Sequence, residues 1–125
     1  MKPTPTRLRA AAVCIAGLAV ASVAMAHATL DRALPRVGSS VQVAPERVEL
    51  WFSVALEPAF STVKVVDSGG RQVDRGDPSV DERDRAHLSV SLPVPLAGGR
   101  YRVVWRAVSR DAHVTSGDFV FEVAP

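Results

Sequence analysis

The sequence contains little sulfur and few aromatic residues. Among its 125 residues are one cysteine and two methionines, and aromatic side chains make up 6% of the chain. A single cysteine excludes an intramolecular disulfide, so the fold must be held by packing alone. Cys14 also lies within an apolar N-terminal segment. If that segment is removed, the remaining chain offers no thiolate to a metal ion.

The N-terminal segment has the features of a secretory signal peptide. It begins with three positive residues: Lys2, Arg7 and Arg9. An uncharged stretch from Ala10 to Leu30 follows, and "AMA" at 24–26 matches a small-x-small cleavage site. This stretch lacks the roughly 20 consecutive apolar residues that a membrane span requires. We therefore predict that residues 1–26 are removed, and that residues 27–125 reach the periplasm without membrane insertion, with His27 as the first residue.

Removal of this segment changes the charge of the chain. The whole sequence carries a formal net charge of +2, whereas residues 27–125 contain 12 basic and 13 acidic residues. The basic character of the full chain therefore comes from the signal segment, and we predict no nucleic-acid partner. The 99 residues that remain are enough for one small domain with a modest core.

Residues 27–125 show the alternation that is typical of β-strands. In "RVELWFSV", for example, Val48, Leu50 and Phe52 share one face with a period of two. The pattern recurs in five segments, with two shorter candidates: 47–54, 61–67, 86–92, 100–109 and 117–123, then 29–34 and 40–43. Prolines fall between these segments, where they disturb pairing least. About seven short strands predict an all-β fold, a small antiparallel β-sandwich or barrel.

Other residues are expected to have structural roles. The polar segment 67–86 is interpreted as a solvated loop with one short strand near Gln72 and Val73. His87 lies on the polar face of its strand and is predicted to be exposed rather than a ligand. Trp105 is predicted to pack in the core, and Trp51 to lie nearer the surface or under a loop.

Three residues are candidates for binding a metal ion. Asp111 and His113 form a D-x-H pair, whose side chains can converge on one ion or simply hydrogen-bond to each other across a turn. An N-terminal His27 would add two nitrogens, its α-amine and its ring, and both lose their protons near neutral pH. Three nitrogens and one carboxylate oxygen suit Cu(II). Zinc accepts the same atoms but prefers a tetrahedron.

The chain also resembles the CopC family of periplasmic copper-binding proteins over essentially its whole length after residue 26. The matching segments are "AHATLDRALPRVGSSV", "APERVELWFS" and "PLAGGRYRVVWRAVSRDAHVTSGDFVFEV". The resemblance implies a seven-stranded Greek-key β-barrel, of cupredoxin or immunoglobulin-like type. It also implies one Cu(II) ion per chain, held by His27, Asp111 and His113. The partner it implies is a CopD-like copper transporter of the inner membrane.

The sequence departs from the family pattern at three points. Some members have an acidic residue where this chain has Val54, so one possible oxygen ligand is missing. Others bind Cu(I) through a methionine-rich loop, but Met1 and Met25 are the only methionines here and both precede His27. The usual D-G-H contains Ala112 in place of glycine, which matters only if that position needs a positive φ.

Two other functions fit parts of the pattern. A copper ion held by an N-terminal histidine resembles the centre of polysaccharide monooxygenases, although 99 residues leave little room for a polysaccharide-binding face. A metal-free immunoglobulin-like accessory module would take up no copper at all. A blue-copper centre is excluded because it needs a cysteine ligand. We therefore expect a binding protein that sequesters Cu(II) or delivers it to a transporter, and not an enzyme.

Overall fold

Eight β-strands follow His27. The computed structural model describes residues 27–125 throughout and, before them, only residues 2–5, 12, 14, 16 and 17. The strands are β1 (Leu30–Leu34), β2 (Ser40–Val41), β3 (Arg47–Phe52), β4 (Thr62–Asp67), β5 (Ser79–Val80), β6 (His87–Ser91), β7 (Gly99–Val108) and β8 (Val114–Val123). The predicted signal peptide lies largely outside the described residues. Within the described part of the chain, no helix is long and apolar enough to cross a membrane.

The strands pack as two four-stranded sheets. One sheet has the order β1-β3-β6-β5 and the other β2-β8-β7-β4. The chain changes sheet after β1, β2, β3, β4 and β6, so most consecutive strands lie in opposite layers. The strand pairs are antiparallel except β2 with β8, which is parallel. The predicted all-β sandwich is therefore confirmed, and one unpredicted short strand, β5, brings the number from seven to eight.

Alternation along the long strands places the core between the sheets. In β3, Val48, Leu50 and Phe52 are buried, while the residues between them are at least partly exposed. Val103 and Phe121 contribute fully buried side chains from the other sheet. Burial of such a side chain contributes about 1.5–3 kcal/mol. Packing of this kind stabilises a small domain that has no disulfide.

The last strand begins three residues earlier than its apolar pattern predicts. β8 starts at Val114 and pairs along its whole length with β7, from Val108↔Val114 to Gly99↔Val123. Thr115 and Ser116 give no hydrophobic signal, but their backbone groups still need hydrogen-bond partners and find them in β7. The extension brings Thr115 into the sheet. Only residues 109–113 remain for the turn.

The polar segment 67–86 is a loop, as expected, but its strand lies elsewhere. Near Gln72 the structure has only an isolated bridge to Val66, whereas β5 pairs with β6. Aspartate carboxylates accept backbone N–H groups within the loop: Asp67, Asp74, Asp81 and Asp84. These local hydrogen bonds shape the loop where it has few apolar side chains to pack.

Trp105 covers Gly117 on the neighbouring strand. The two residues are partners across β7 and β8. The half-buried Trp105 ring packs against the core and meets Phe52 edge-on, with ring centroids 5.1 Å apart. A Cβ atom at position 117 would lie 2.5 Å from Cζ2 of Trp105. Glycine is therefore required here because the indole occupies the space of a side chain.

We expect Gly117→Ala to lower the free energy of unfolding by about 1–3 kcal/mol, because the added methyl group overpacks the indole of Trp105. Denaturant titration measures this change. The control is Gly69→Ala, where the nearest contact of the new Cβ would be an ordinary 3.4 Å. Equal stability of Gly117→Ala and the unsubstituted protein would show that the Trp105 ring does not rest on residue 117.

Candidate metal centre

The turn between β7 and β8 contains the D-x-H residues. The Ser109 N–H donates to the carbonyl of His113 at 3.0 Å, and the Ala112 N–H donates to the carbonyl of Ser109 at 3.0 Å. Ala112 has a φ of 66°, which lies in the left-handed region that glycine adopts more easily than alanine. Ala112, which stands where the resemblance implies a glycine, therefore lies at a position that does use a positive φ.

Asp111 and His113 present adjacent donor atoms. Oδ2 of Asp111 lies 3.0 Å from Nδ1 of His113. This nitrogen is buried and has no well-aligned hydrogen-bond partner among the described residues. Two atoms that bind one ion at about 2 Å and at roughly a right angle would stand about 3 Å apart. The spacing of this nitrogen and the carboxylate oxygen therefore fits a pair of metal ligands.

Ser109 forms hydrogen bonds with both Asp111 and His113 in the turn. Its side chain is buried, and its hydroxyl donates to Oδ1 of Asp111 and accepts the N–H of His113 at 3.3 Å. The hydrogen bond from Ser109, followed by the neighbouring His113, lowers the pKa of Asp111 below its usual value. A lowered pKa keeps the carboxylate ionised at neutral pH, and its contacts weaken only as the pH falls through that lowered pKa. Asp111 is thus available as an anionic ligand.

The segment His27–Thr29 lies across the same end of the sandwich. Ser53 donates through its hydroxyl to the carbonyl of His27 at 3.2 Å and accepts the N–H of Thr29 at 2.9 Å. Thr115 donates through its hydroxyl to the carbonyl of Ala28 at 2.8 Å. Ala28 is itself 2% exposed. The backbone of this segment is therefore held in place, although the His27 side chain is exposed.

His27 and His113 are neighbours in space. Their ring centroids are 5.2 Å apart and the rings meet edge to face, at 85°. Since metal–nitrogen bonds are about 2 Å long, rings this close can both reach one ion. The three residues singled out in the sequence therefore lie at the same end of the sandwich, although His27 is far from the D-x-H pair along the chain.

Side chains alone do not complete the centre. Within the described residues, no three His, Cys, Asp or Glu side chains are arranged to hold an ion. In the uncleaved chain the backbone nitrogen of His27 is part of the peptide bond to Ala26, and an amide is a poor donor. A chain that begins at His27 has an amine at this position, which binds a metal ion once it loses its proton.

His87 lies apart from this centre and is less exposed than predicted. Its ring stacks on Trp51 with centroids 4.4 Å apart, and Arg32 packs on the Trp51 ring at 3.8 Å. Its side chain is 16% exposed, and Nε2 lies 3.3 Å from Oε1 of Glu49. The expectation of an exposed histidine was wrong because the imidazole packs on the Trp51 ring of the neighbouring strand, and Arg32 covers the other face of that ring. Trp51 is half-buried, as Trp105 is, and its ring is covered by Arg32 and His87.

Sequence reasoning did not identify the hydroxyl residues around the centre: Ser53, Ser109 and Thr115. Ser109 lies inside the S-x-D-x-H motif, so its spacing from Asp111 was a usable signal for a turn. Ser53 and Thr115 have no such signal, because their partners are backbone atoms of a segment that is distant in sequence.

A small two-layer β-domain with a candidate metal centre at one end is the class of protein that the fold and these residues define. The CopC domain family matches residues 30–124. The chain belongs to this family.

The relatives include a copper resistance protein, a copper transport protein and a solved structure. Copper resistance protein C of Escherichia coli is 35% identical over 112 residues, covering 85% of this chain and 88% of that protein. Copper transport protein CutJ of Bacillus subtilis is 33% identical over 98 residues, covering 78% of this chain but 18% of that protein. The crystal structure of CopC from Methylosinus trichosporium OB3b matches with a TM-score of 0.70 and 32% identity, covering 79% of this chain and 95% of that one.

We expect Ala112→Gly to raise the free energy of unfolding by up to about 1 kcal/mol, since glycine relieves the positive φ but is more flexible when unfolded. Thermal unfolding of the two proteins gives the comparison. Ala112→Val is the opposing variant and should destabilise the protein, because a β-branched side chain tolerates this φ least. A destabilising effect of Ala112→Gly would argue against a left-handed residue 112 in solution.

Proposed function

We propose that the protein binds one Cu(II) ion in the periplasm, through the amine and ring of His27 together with Asp111 and His113. The observation that carries the proposal is that the His27 ring lies beside the Asp111–His113 pair, with imidazole centroids 5.2 Å apart and Oδ2 of Asp111 3.0 Å from Nδ1 of His113. The copper resistance proteins among the relatives support copper as the bound metal.

The donor set favours the oxidised ion. Residues 27–125 contain no cysteine and no methionine, so they offer neither thiolate nor thioether, the soft ligands that select Cu(I). Imidazole, amine and carboxylate donors suit Cu(II), which also binds most tightly among the common divalent ions. The CopC relatives are copper resistance and transport proteins rather than enzymes, and we assign no catalytic activity to this centre.

In this proposal, removal of the signal peptide during export creates one of the donor groups, the amine of His27. Cleavage after Ala26 would create the His27 amine at the point where the protein enters the periplasm. The centre would therefore be incomplete until the signal peptide is removed. Because the described core residues lie between Ala28 and Val123, the chain that begins at His27 retains them.

A membrane transporter is the proposed recipient of the ion. The CutJ match covers most of this chain but less than a fifth of that copper transport protein. CutJ thus contains a segment similar to this domain within a much longer chain. We propose that the present chain delivers Cu(II) to a CopD-like transporter in the inner membrane.

The first test is a competition titration of Cu(II) with two forms of the protein, one beginning at His27 and one with a single additional glycine before it. We expect the first form to bind one ion at least tenfold more tightly, because the glycine converts the His27 amine into an amide. The uncleaved chain should behave like the glycine-extended form. Equal affinities would exclude His27 as a terminal chelator, and absence of binding by both would contradict the proposed function.

His113→Ala tests the second histidine. In the form beginning at His27, we expect this change to weaken Cu(II) binding by at least a hundredfold, with little effect on thermal unfolding because His113 lies outside the strands. His87→Ala is the matched control, since it removes an imidazole that is stacked on Trp51 away from the centre. Undiminished binding by His113→Ala would refute its assignment as a ligand.

A further inference from the structure

We propose that Ser53 and Thr115 are positioning residues that hold the first residues of the mature chain so that the His27 chelate faces His113. This inference rests on the proposed copper site. Neither hydroxyl is assigned as a metal ligand. Their effect on the ion would be exerted through the backbone of residues 27–29.

Within the part of the chain that the structure describes, two residues, Ser53 and Thr115, form the hydrogen bonds to this segment. The carbonyl of His27 accepts from the Ser53 hydroxyl, that of Ala28 from the Thr115 hydroxyl, and that of Thr29 from the Ser53 N–H at 2.9 Å. The Ser53 hydroxyl in turn accepts the N–H of Thr29. Three consecutive carbonyls are therefore engaged, and the direction of the backbone that leads to His27 is determined.

The two residues belong to different sheets. Ser53 directly follows β3 of the first sheet, whereas Thr115 is the second residue of β8 in the other. The N-terminal segment therefore bridges the two layers at the end of the sandwich. A segment attached to one layer only could pivot, but one held from both sides cannot do so without breaking a hydrogen bond.

Thr115 also links the two halves of the candidate centre. It lies two residues after His113 on the same chain segment, and its hydroxyl contacts the residue directly after His27. The path from one imidazole to the other thus runs through a single side-chain hydrogen bond. Because Ala28 is buried beside it, a shift of this hydrogen bond would move His27 relative to His113.

Such positioning should strengthen metal binding because it reduces the backbone entropy that is lost when the ion binds. A free N-terminus would have to lose backbone freedom when the amine and ring close on the metal. When folding has already fixed the segment, this backbone freedom is lost before the ion binds, so the affinity is higher. Without the two hydroxyls, the proposed chelate would still form, but more weakly and with a less uniform geometry.

The test measures Cu(II) affinity by competition titration for Thr115→Val and Ser53→Ala, each in the form beginning at His27 and in the glycine-extended form. We expect a two- to tenfold loss in the first form, as for removal of one hydrogen bond. We expect a change of less than twofold in the extended form, because it has no terminal chelate to position. Thr115→Ser keeps the hydroxyl and should restore most of the affinity.

Ser116→Ala and Thr62→Val are the matched controls, since they make the same chemical changes at exposed positions at the starts of β8 and β4. Thermal unfolding without copper checks that each variant is folded. Electron paramagnetic resonance of the bound Cu(II) provides a second measurement. The Thr115→Val spectrum should shift toward that of the glycine-extended protein, whereas a purely structural role would leave it unchanged.

The possible outcomes separate this inference from the copper proposal. If glycine extension weakens binding but Thr115→Val and Ser53→Ala bind like the unsubstituted protein, the positioning role is refuted and the copper site stands. If these variants weaken both forms equally, their effect is on general stability and the inference is again overturned. If glycine extension has no effect, no terminal chelate exists and both proposals fail.

Discussion

The pairing of β7 with β8 is the constraint on which the candidate metal centre depends. Ten consecutive residue pairs join these strands without a register shift, ending at Val108↔Val114. The D-x-H sequence is thereby confined to a tight turn at the end of the sandwich, and Thr115 is placed in the sheet directly beside it. The same register pairs Trp105 with Gly117, and the Trp105 ring occupies the space that a side chain at residue 117 would need. One ladder of backbone hydrogen bonds thus determines both the packing and the placement of the site.

The centre itself is assembled from short polar side chains and backbone atoms. Ser109 holds the turn through the carboxylate of Asp111 and the backbone of His113, while Ser53 and Thr115 hold the N-terminal segment. These contacts lie at the end of the sandwich, where buried Ala28 and Ser109 connect the site to the core. Ala112 adopts a backbone conformation that favours glycine, at a cost that is local to the turn.

The third histidine shows how a similar side chain takes a different role. His87 packs against Trp51 on the outer face of one sheet, with the two rings nearly parallel. Arg32 packs on the indole, and Glu49 lies beside the imidazole. This arrangement buries a surface formed by three adjacent strands. The presence of a histidine therefore does not by itself define a metal site. The position of each ring in the fold decides whether it can bind a metal ion.

Much of the fold could be predicted from the sequence, because apolar residues with a period of two reveal strands that bury one face. The long strands were located in this way, as was the loop at 67–86. The early start of β8 could not be predicted, since Thr115 and Ser116 join the sheet through backbone groups that carry no hydrophobic signal. Likewise, β5 and its pairing with β6 depend on strands that are brought together only by folding.

For the candidate centre, the sequence by itself determined which donor atoms the chain can offer. Without cysteine or methionine after residue 26, these are imidazole nitrogens and carboxylate oxygens, among which the D-x-H motif and the resemblance to the CopC family singled out His27, Asp111 and His113. Tertiary structure alone decided that His27 lies beside that motif, and that Ser53 and Thr115 hold it there. The physical reason is that contacts between distant segments depend on how the two sheets pack and align, which no local pattern of residue types records.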